Sequence, residues 1–189
     1  MIKTLTLILG SFLLMTATAN AADMDPENTL YLDLKDGRVT IKLLPELAPN
    51  HVARVKELTR EGFYNGLVFH RVIDGFMAQT GDPTGTGTSG SDKPDLKAEF
   101  SDYNFGRGTI GAARTSDPDS ANSQWFICFE DCSFLNGQYT VWGQVTSGME
   151  AVDKIKRGEP PSDPDKIIKL QVAADADAGA AAAQAPAAE

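Results

Sequence analysis

The amino-acid sequence predicts a mainly β protein, an antiparallel sheet closed into a barrel and covered by two helices. Three observations lead there: apolar runs are short and many, Gly and Pro punctuate them throughout, and only two stretches carry helical periodicity. Many short strands leave many edges, and closing the sheet on itself removes them.

The elements follow in order. Leu30-Tyr31-Leu32-Asp33-Leu34 and Val39-Thr40-Ile41-Lys42-Leu43 flank Lys35-Asp36-Gly37-Arg38, and Asp-Gly between alternating runs is a hairpin signal. After Pro45 and Pro49, Val52, Val55 and Leu58 stand at helical spacing, with Asn50 expected as N-cap and Gly62 near the stop. Strands are expected within Leu67 to Val72, Phe76 to Thr80, Thr109 to Ala113, Trp125 to Phe129, Thr140 to Val145 and Ile167 to Val172. A second helical pattern, Met149 to Ile155, starts after Ser147-Gly148 and ends at Gly158.

The folded unit therefore spans residues 29–172 of 189, enough for one core, and residues 22–28 form an N-terminal extension. Residues 1–21 read as a cleavable secretory signal: Lys3, an apolar stretch from Leu5 to Met15, then the small-residue site Ala19-Asn20-Ala21. Thr, Ser and Gly interrupt that stretch, which argues against a membrane anchor and places the mature chain in the periplasm, starting at Ala22. Residues 173–189 are Ala-rich with no branched or aromatic residue to bury, and read as a disordered tail.

The formal net charge is −9, with no Lys/Arg run to form a basic patch. Such a surface repels nucleic-acid backbones and anionic headgroups, so neither is an expected partner. The chain is expected to be a monomer without cofactor or metal. Cys128 and Cys132, four apart, match no zinc spacing. On one straight strand their Cα atoms would be about 13 Å apart, too far for a disulfide, so a bond requires a turn at Glu130-Asp131. Without that turn they are two half-buried thiols.

Several motifs fail on context. Gly85-Thr86-Gly87-Thr88-Ser89-Gly90 matches a dinucleotide fingerprint, yet Ser91-Asp92-Lys93-Pro94 opens no helix after it, which leaves a mobile Gly/Thr loop. No Ser stands in a nucleophile elbow for His51 or His70 to serve. Asp117, Asp119 and Asp131 read as turn residues. In Phe69-His70-Arg71-Val72-Ile73-Asp74-Gly75-Phe76-Met77-Ala78-Gln79-Thr80-Gly81-Asp82, strand alternation puts Arg71 on a face that is either solvent or a pocket.

That run resembles the signature of the cyclophilin peptidyl-prolyl isomerases. The resemblance continues through Gly108-Thr109-Ile110-Gly111-Ala112-Ala113-Arg114, Asn122-Ser123-Gln124-Trp125-Phe126-Ile127 and Phe134-Leu135-Asn136-Gly137, in family order and over nearly all of residues 29–172. It implies an eight-stranded closed antiparallel barrel capped by two helices. It also implies Arg71 as the catalytic arginine, supported by Phe76 and Gln79, and a proline pocket that includes Met77, Phe126 and Leu135. Gln79, Gln124 and the backbone of Ala113-Arg114 would hold the peptide. Phe134 stands where the family carries Trp and Tyr139 where many members carry His, so cyclosporin binding is expected to be weak. The implied partners are proline-containing peptides and unfolded exported proteins. A proline-peptide-binding chaperone without turnover would use the same scaffold, as a second reading.

Overall fold

The structure, a computed structural model, describes residues 24–176. The expected signal segment and residues 177–189 of the Ala-rich tail lie outside the described residues. β1 (Thr29–Leu34) and β2 (Gly37–Leu43) pair in register from Thr29–Lys42 to Leu34–Gly37, so Lys35-Asp36 is the turn and Gly37, at φ +140°, opens the second strand. There follow α1 (Pro49–Arg60), β3 (Arg71–Ile73), β4 (Met77–Thr80), β5 (Thr109–Ala112), β6 (Trp125–Cys128), β7 (Val141–Ser147), α2 (Met149–Val152) and β8 (Lys169–Val172). All eight strands lie in one antiparallel sheet ordered β3-β4-β6-β5-β7-β2-β1-β8.

The sheet curls into an open half-barrel, not the closed barrel expected. Its two ends, β3 and β8, share no ladder. Between them run single contacts: a bridge from Val68 to Lys166, and bonds from Phe69 N to Asp165 O and from Ile167 N to Leu67 O, each 2.9 Å. The physical reason lies in Gly158-Glu159-Pro160-Pro161-Ser162-Asp163-Pro164, where three prolines remove the donors a continuous ladder needs.

The concave face carries the main core, including Leu32, Ile41, Phe69, Ile110, Trp125 and Trp142, all essentially inaccessible to water. Val52, Val55 and Leu58 of α1 cover it, as do Ala151 and Val152 of α2. Asn50 is not the N-cap of α1. Pro49, preset for the first helical turn, starts the helix two residues earlier, and Ala48 at the cap position offers no side-chain bond. Glu99, distant in sequence, supplies the cap instead, accepting bonds from the backbone N–H groups of Asn50 (3.1 Å) and His51 (3.0 Å). The second helix is one turn, shorter than its pattern suggested. A third helical segment, residues 173–176, begins the stretch expected to be disordered, with Ala173 buried and Asp175 3.0 Å from Arg60.

Candidate active site

Strand alternation sends half of β6 to a second, smaller apolar cluster on the convex face. Trp125 and Ile127 enter the main core, while Phe126 and Cys128 join Met77, Phe105, Leu135 and Val141 outside it. Register then lines up one row across the sheet: Arg71 opposite Gln79, Gln79 opposite Phe126, and Phe126 opposite Gly111. The hairpin at Asp74-Gly75 sets the first pairing, with Gly75 at φ +66°. Residues directly opposite on one face touch, so a cation, an amide and an aromatic ring meet in a single line.

Above this row lies a cavity of about 320 Å³. Met77, Phe126 and Leu135, all buried, form its floor, and Phe76, Ala113 and Tyr139 its partly buried wall. Phe134, 62% exposed, stands at the rim with its ring 5.3 Å from that of Phe76. Arg71, Gln79 and Arg114 supply the polar edge. Arg114 stacks its guanidinium over Tyr139 at 4.5 Å and donates to the carbonyls of Thr115 and Gln138, which fixes that wall.

Ten of the residues singled out in the sequence thus line one cavity, and Gln124 does not. Its amide accepts from Gln79 Nε2 at 2.8 Å and donates to the carbonyls of Gly87 (3.1 Å) and Ser89 (2.7 Å), beside an adjoining cavity of about 290 Å³. Gln124 therefore links the Arg71–Gln79 row to the Gly/Thr loop, and the cavity it lines shares Gln79, Ala113 and Arg114 with the first.

That loop is anchored rather than free. Asp82, fully buried, accepts from the N–H and hydroxyl of Thr84 (both 2.7 Å) and from Ser89 N (3.2 Å). Burial by itself would raise its carboxyl, but these bonds outweigh it and bring the pKa down to about 2. Cys128 and Cys132 are both buried and both free. The Cys132 thiol donates to Phe76 O at 3.6 Å, and the neighbouring Cys132 together with burial pushes the Cys128 thiol up, keeping it protonated. No group of three or more His, Cys, Asp or Glu able to hold a metal occurs among the described residues.

A model of the family described as cyclophilin type peptidyl-prolyl cis-trans isomerase/CLD matches residues 29–172. The chain belongs to the cyclophilin-type isomerases. A Brucella suis protein described as a probable peptidyl-prolyl cis-trans isomerase is 58% identical to this cyclophilin over 174 residues, 84% of this chain and 88% of that one. Among solved structures, a cyclophilin from Hirschia baltica matches with a TM-score of 0.75 at 29% identity, covering 80% of this chain and 76% of that one. A Cryptosporidium parvum cyclophilin-type isomerase, crystallised in the presence of the dipeptide Ala-Pro, matches with a TM-score of 0.71 at 26% identity, over 76% of this chain and 98% of that one.

Three organising residues were not singled out in the sequence: Glu99, which caps α1, Asp82, which anchors the Gly/Thr loop, and Glu159, which meets Arg71. The last accepts from Arg71 Nε at 2.8 Å. A signal existed only for Asp82, because an Asp followed by Thr two residues on is an Asx-turn pattern.

Proposed function

We infer that this isomerase accelerates rotation about X-Pro bonds in exported proteins, assists their folding, and acts in the periplasm after removal of residues 1–21. The observation that carries the reading is the apolar cavity with Arg71 on its edge. A pyrrolidine ring is an apolar, rigid object that such a floor of Met77, Phe126 and Leu135 can hold.

The chemistry needs no bond broken. Amide rotation has a barrier of roughly 18–20 kcal/mol, and X-Pro bonds exchange unaided in tens to hundreds of seconds. As the bond twists, resonance is lost and the prolyl nitrogen becomes a hydrogen-bond acceptor. A guanidinium aimed at that nitrogen stabilises the twisted state and not the planar one, which is differential binding of the transition state. The cavity floor fixes the ring while the preceding carbonyl swings, a positioning effect. Because Arg71 is permanently charged and no nucleophile or base takes part, activity is flat across neutral pH. Ala-Pro, present in the crystals of the Cryptosporidium parvum relative, is the smallest peptide with such a bond and supports this substrate class.

The test combines two measurements. N-terminal sequencing of the chain recovered from the periplasm should start at Ala22, and that mature form should accelerate cis–trans exchange of a proline tetrapeptide in a protease-coupled assay. Retention in the cytoplasm overturns the location. Peptide binding without turnover overturns the enzymatic reading in favour of a chaperone.

A further inference from the structure

The row Arg71–Gln79–Phe126–Gly111 has a further member on the other side of Arg71. Val72 and Gly158 exchange both backbone bonds, each 2.8 Å, across an isolated antiparallel bridge. Antiparallel pairing of Val72 with Gly158 sets Glu159 opposite Arg71, just as Gln79 is opposite Arg71 on the other strand. The side chains meet accordingly: Arg71 Nε donates to Glu159 Oε2 at 2.8 Å, and Arg71 Nη1 points to Gln79 Oε1 at 3.5 Å.

We propose that Glu159 is a positioning residue for Arg71, holding the guanidinium by its Nε edge so that the Nη groups face Gln79 and the proline cavity. The inference rests on the catalytic reading of Arg71 given above. Three observations carry it. First, the Nε contact is the shorter of the two, so Glu159 and not Gln79 is the firmer hold on the guanidinium. Second, the carboxylate is delivered from a fixed backbone. Gly158 sits at φ +146°, where a Cβ would lie 2.6 Å from Pro161 Cα, so this turn closes tightly only with glycine and the following residue is held against β3. Third, Glu159 and Arg71 together line a second cavity of about 300 Å³ with Gln79, Gly87 and Pro160, one that does not include the apolar floor of Met77, Phe126 and Leu135. A free guanidinium on a long stem would have room to swing into that space, and the bond to Glu159 restrains it.

Both side chains are partly exposed, 41% for Arg71 and 52% for Glu159, so the effect is modest and sensitive to salt. Orientation matters in the twisted state more than in the bound ground state, so the loss falls on kcat.

The experiment measures kcat and KM by isomer exchange at low and high salt for wild type, Glu159→Gln, Glu159→Asp, Arg71→Ala and the double variant Glu159→Gln/Arg71→Ala. Glu159→Gln should lower kcat by about two- to fivefold with KM unchanged, the range expected of an exposed ion pair. Glu159→Asp should recover part of the loss. Added salt should lower the wild-type rate toward that of Glu159→Gln while leaving the variant's own rate flat. In the Arg71→Ala background the Glu159 change should have no further effect. An unchanged kcat in Glu159→Gln, or an equal loss with and without Arg71, overturns the positioning role alone. A folded Arg71→Ala with wild-type activity overturns the catalytic reading of Arg71 and this inference with it.

Discussion

Gly111 lies directly beneath the ring of Phe126: a Cβ at this position would stand 2.5 Å from Phe126 Cζ and 2.8 Å from Phe105 Cε1. The absence of a side chain on β5 is what lets the Phe126 ring, stacked on Phe105 at 6.0 Å, settle as part of the floor of the apolar cavity. Glycine in mid-strand normally weakens a sheet, and here it marks close approach by a ring.

Gly111→Val should therefore lift Phe126 into the cavity. Overpacking of this kind costs roughly 1–3 kcal/mol. Displacing the floor should lower kcat/KM by about tenfold or more, since ångström-scale misplacement carries large rate penalties. Thermal unfolding and the isomerase assay together check it; an active, equally stable variant would show that the ring has another place to go.

Glu99 stabilises α1 from outside it. Besides capping two backbone N–H groups, it lies 2.6 Å from His51 Nδ1, whose ring is almost wholly buried. Glu99→Ala should destabilise the fold by about 1–3 kcal/mol, through a lost cap and an unpaired buried imidazole. Urea denaturation measures this, and the rate per folded molecule should be unchanged because Glu99 does not line the cavity.

Asp82 predicts a pH dependence. Its carboxyl is lowered from 3.8 to about 2 in the fold, so its contribution is fully present above about pH 4 and is lost as pH falls toward 2. The shift corresponds to about 2 kcal/mol. Asp82→Asn should be less stable than wild type at pH 6, and the gap should close on acidification. Chemical denaturation at a series of pH values decides this; a gap independent of pH would remove Asp82 as the hub of the loop.

Phe134 carries the inhibitor prediction. It is exposed at the rim and packs on Phe76, so Phe134→Trp adds contact area and an indole N–H donor without touching the floor or Arg71. Cyclosporin-type inhibitors should bind more tightly, with the isomerase rate changed by no more than a few-fold. An unchanged inhibition constant contradicts the rim position.

What was legible in the sequence is what short-range pattern controls. Alternation located the strands and Asp36-Gly37 located the first hairpin, while Arg71 and Gln79 stood out within the Phe69 to Asp82 segment without the pairing that the β3–β4 hairpin gives them. The features that escaped are contacts across long sequence separations. Glu99 reaches α1 from 48 residues away, and Glu159 reaches Arg71 from 88. The open seam likewise depends on where the proline-rich segment after Gly158 returns to the sheet, which periodicity does not encode. Asn50 misled because a good capping residue stood one position after a proline that had already begun the helix.

The central claim is that Arg71 stabilises the twisted X-Pro bond while the apolar floor only holds the ring. The most direct measurement is kcat/KM of Arg71→Ala in the protease-coupled assay, with circular dichroism on the same sample. The account predicts a native spectrum and a fall of roughly tenfold or more, equal to about 1.4 kcal/mol of transition-state stabilisation. A natively folded Arg71→Ala that turns over at the wild-type rate would contradict it.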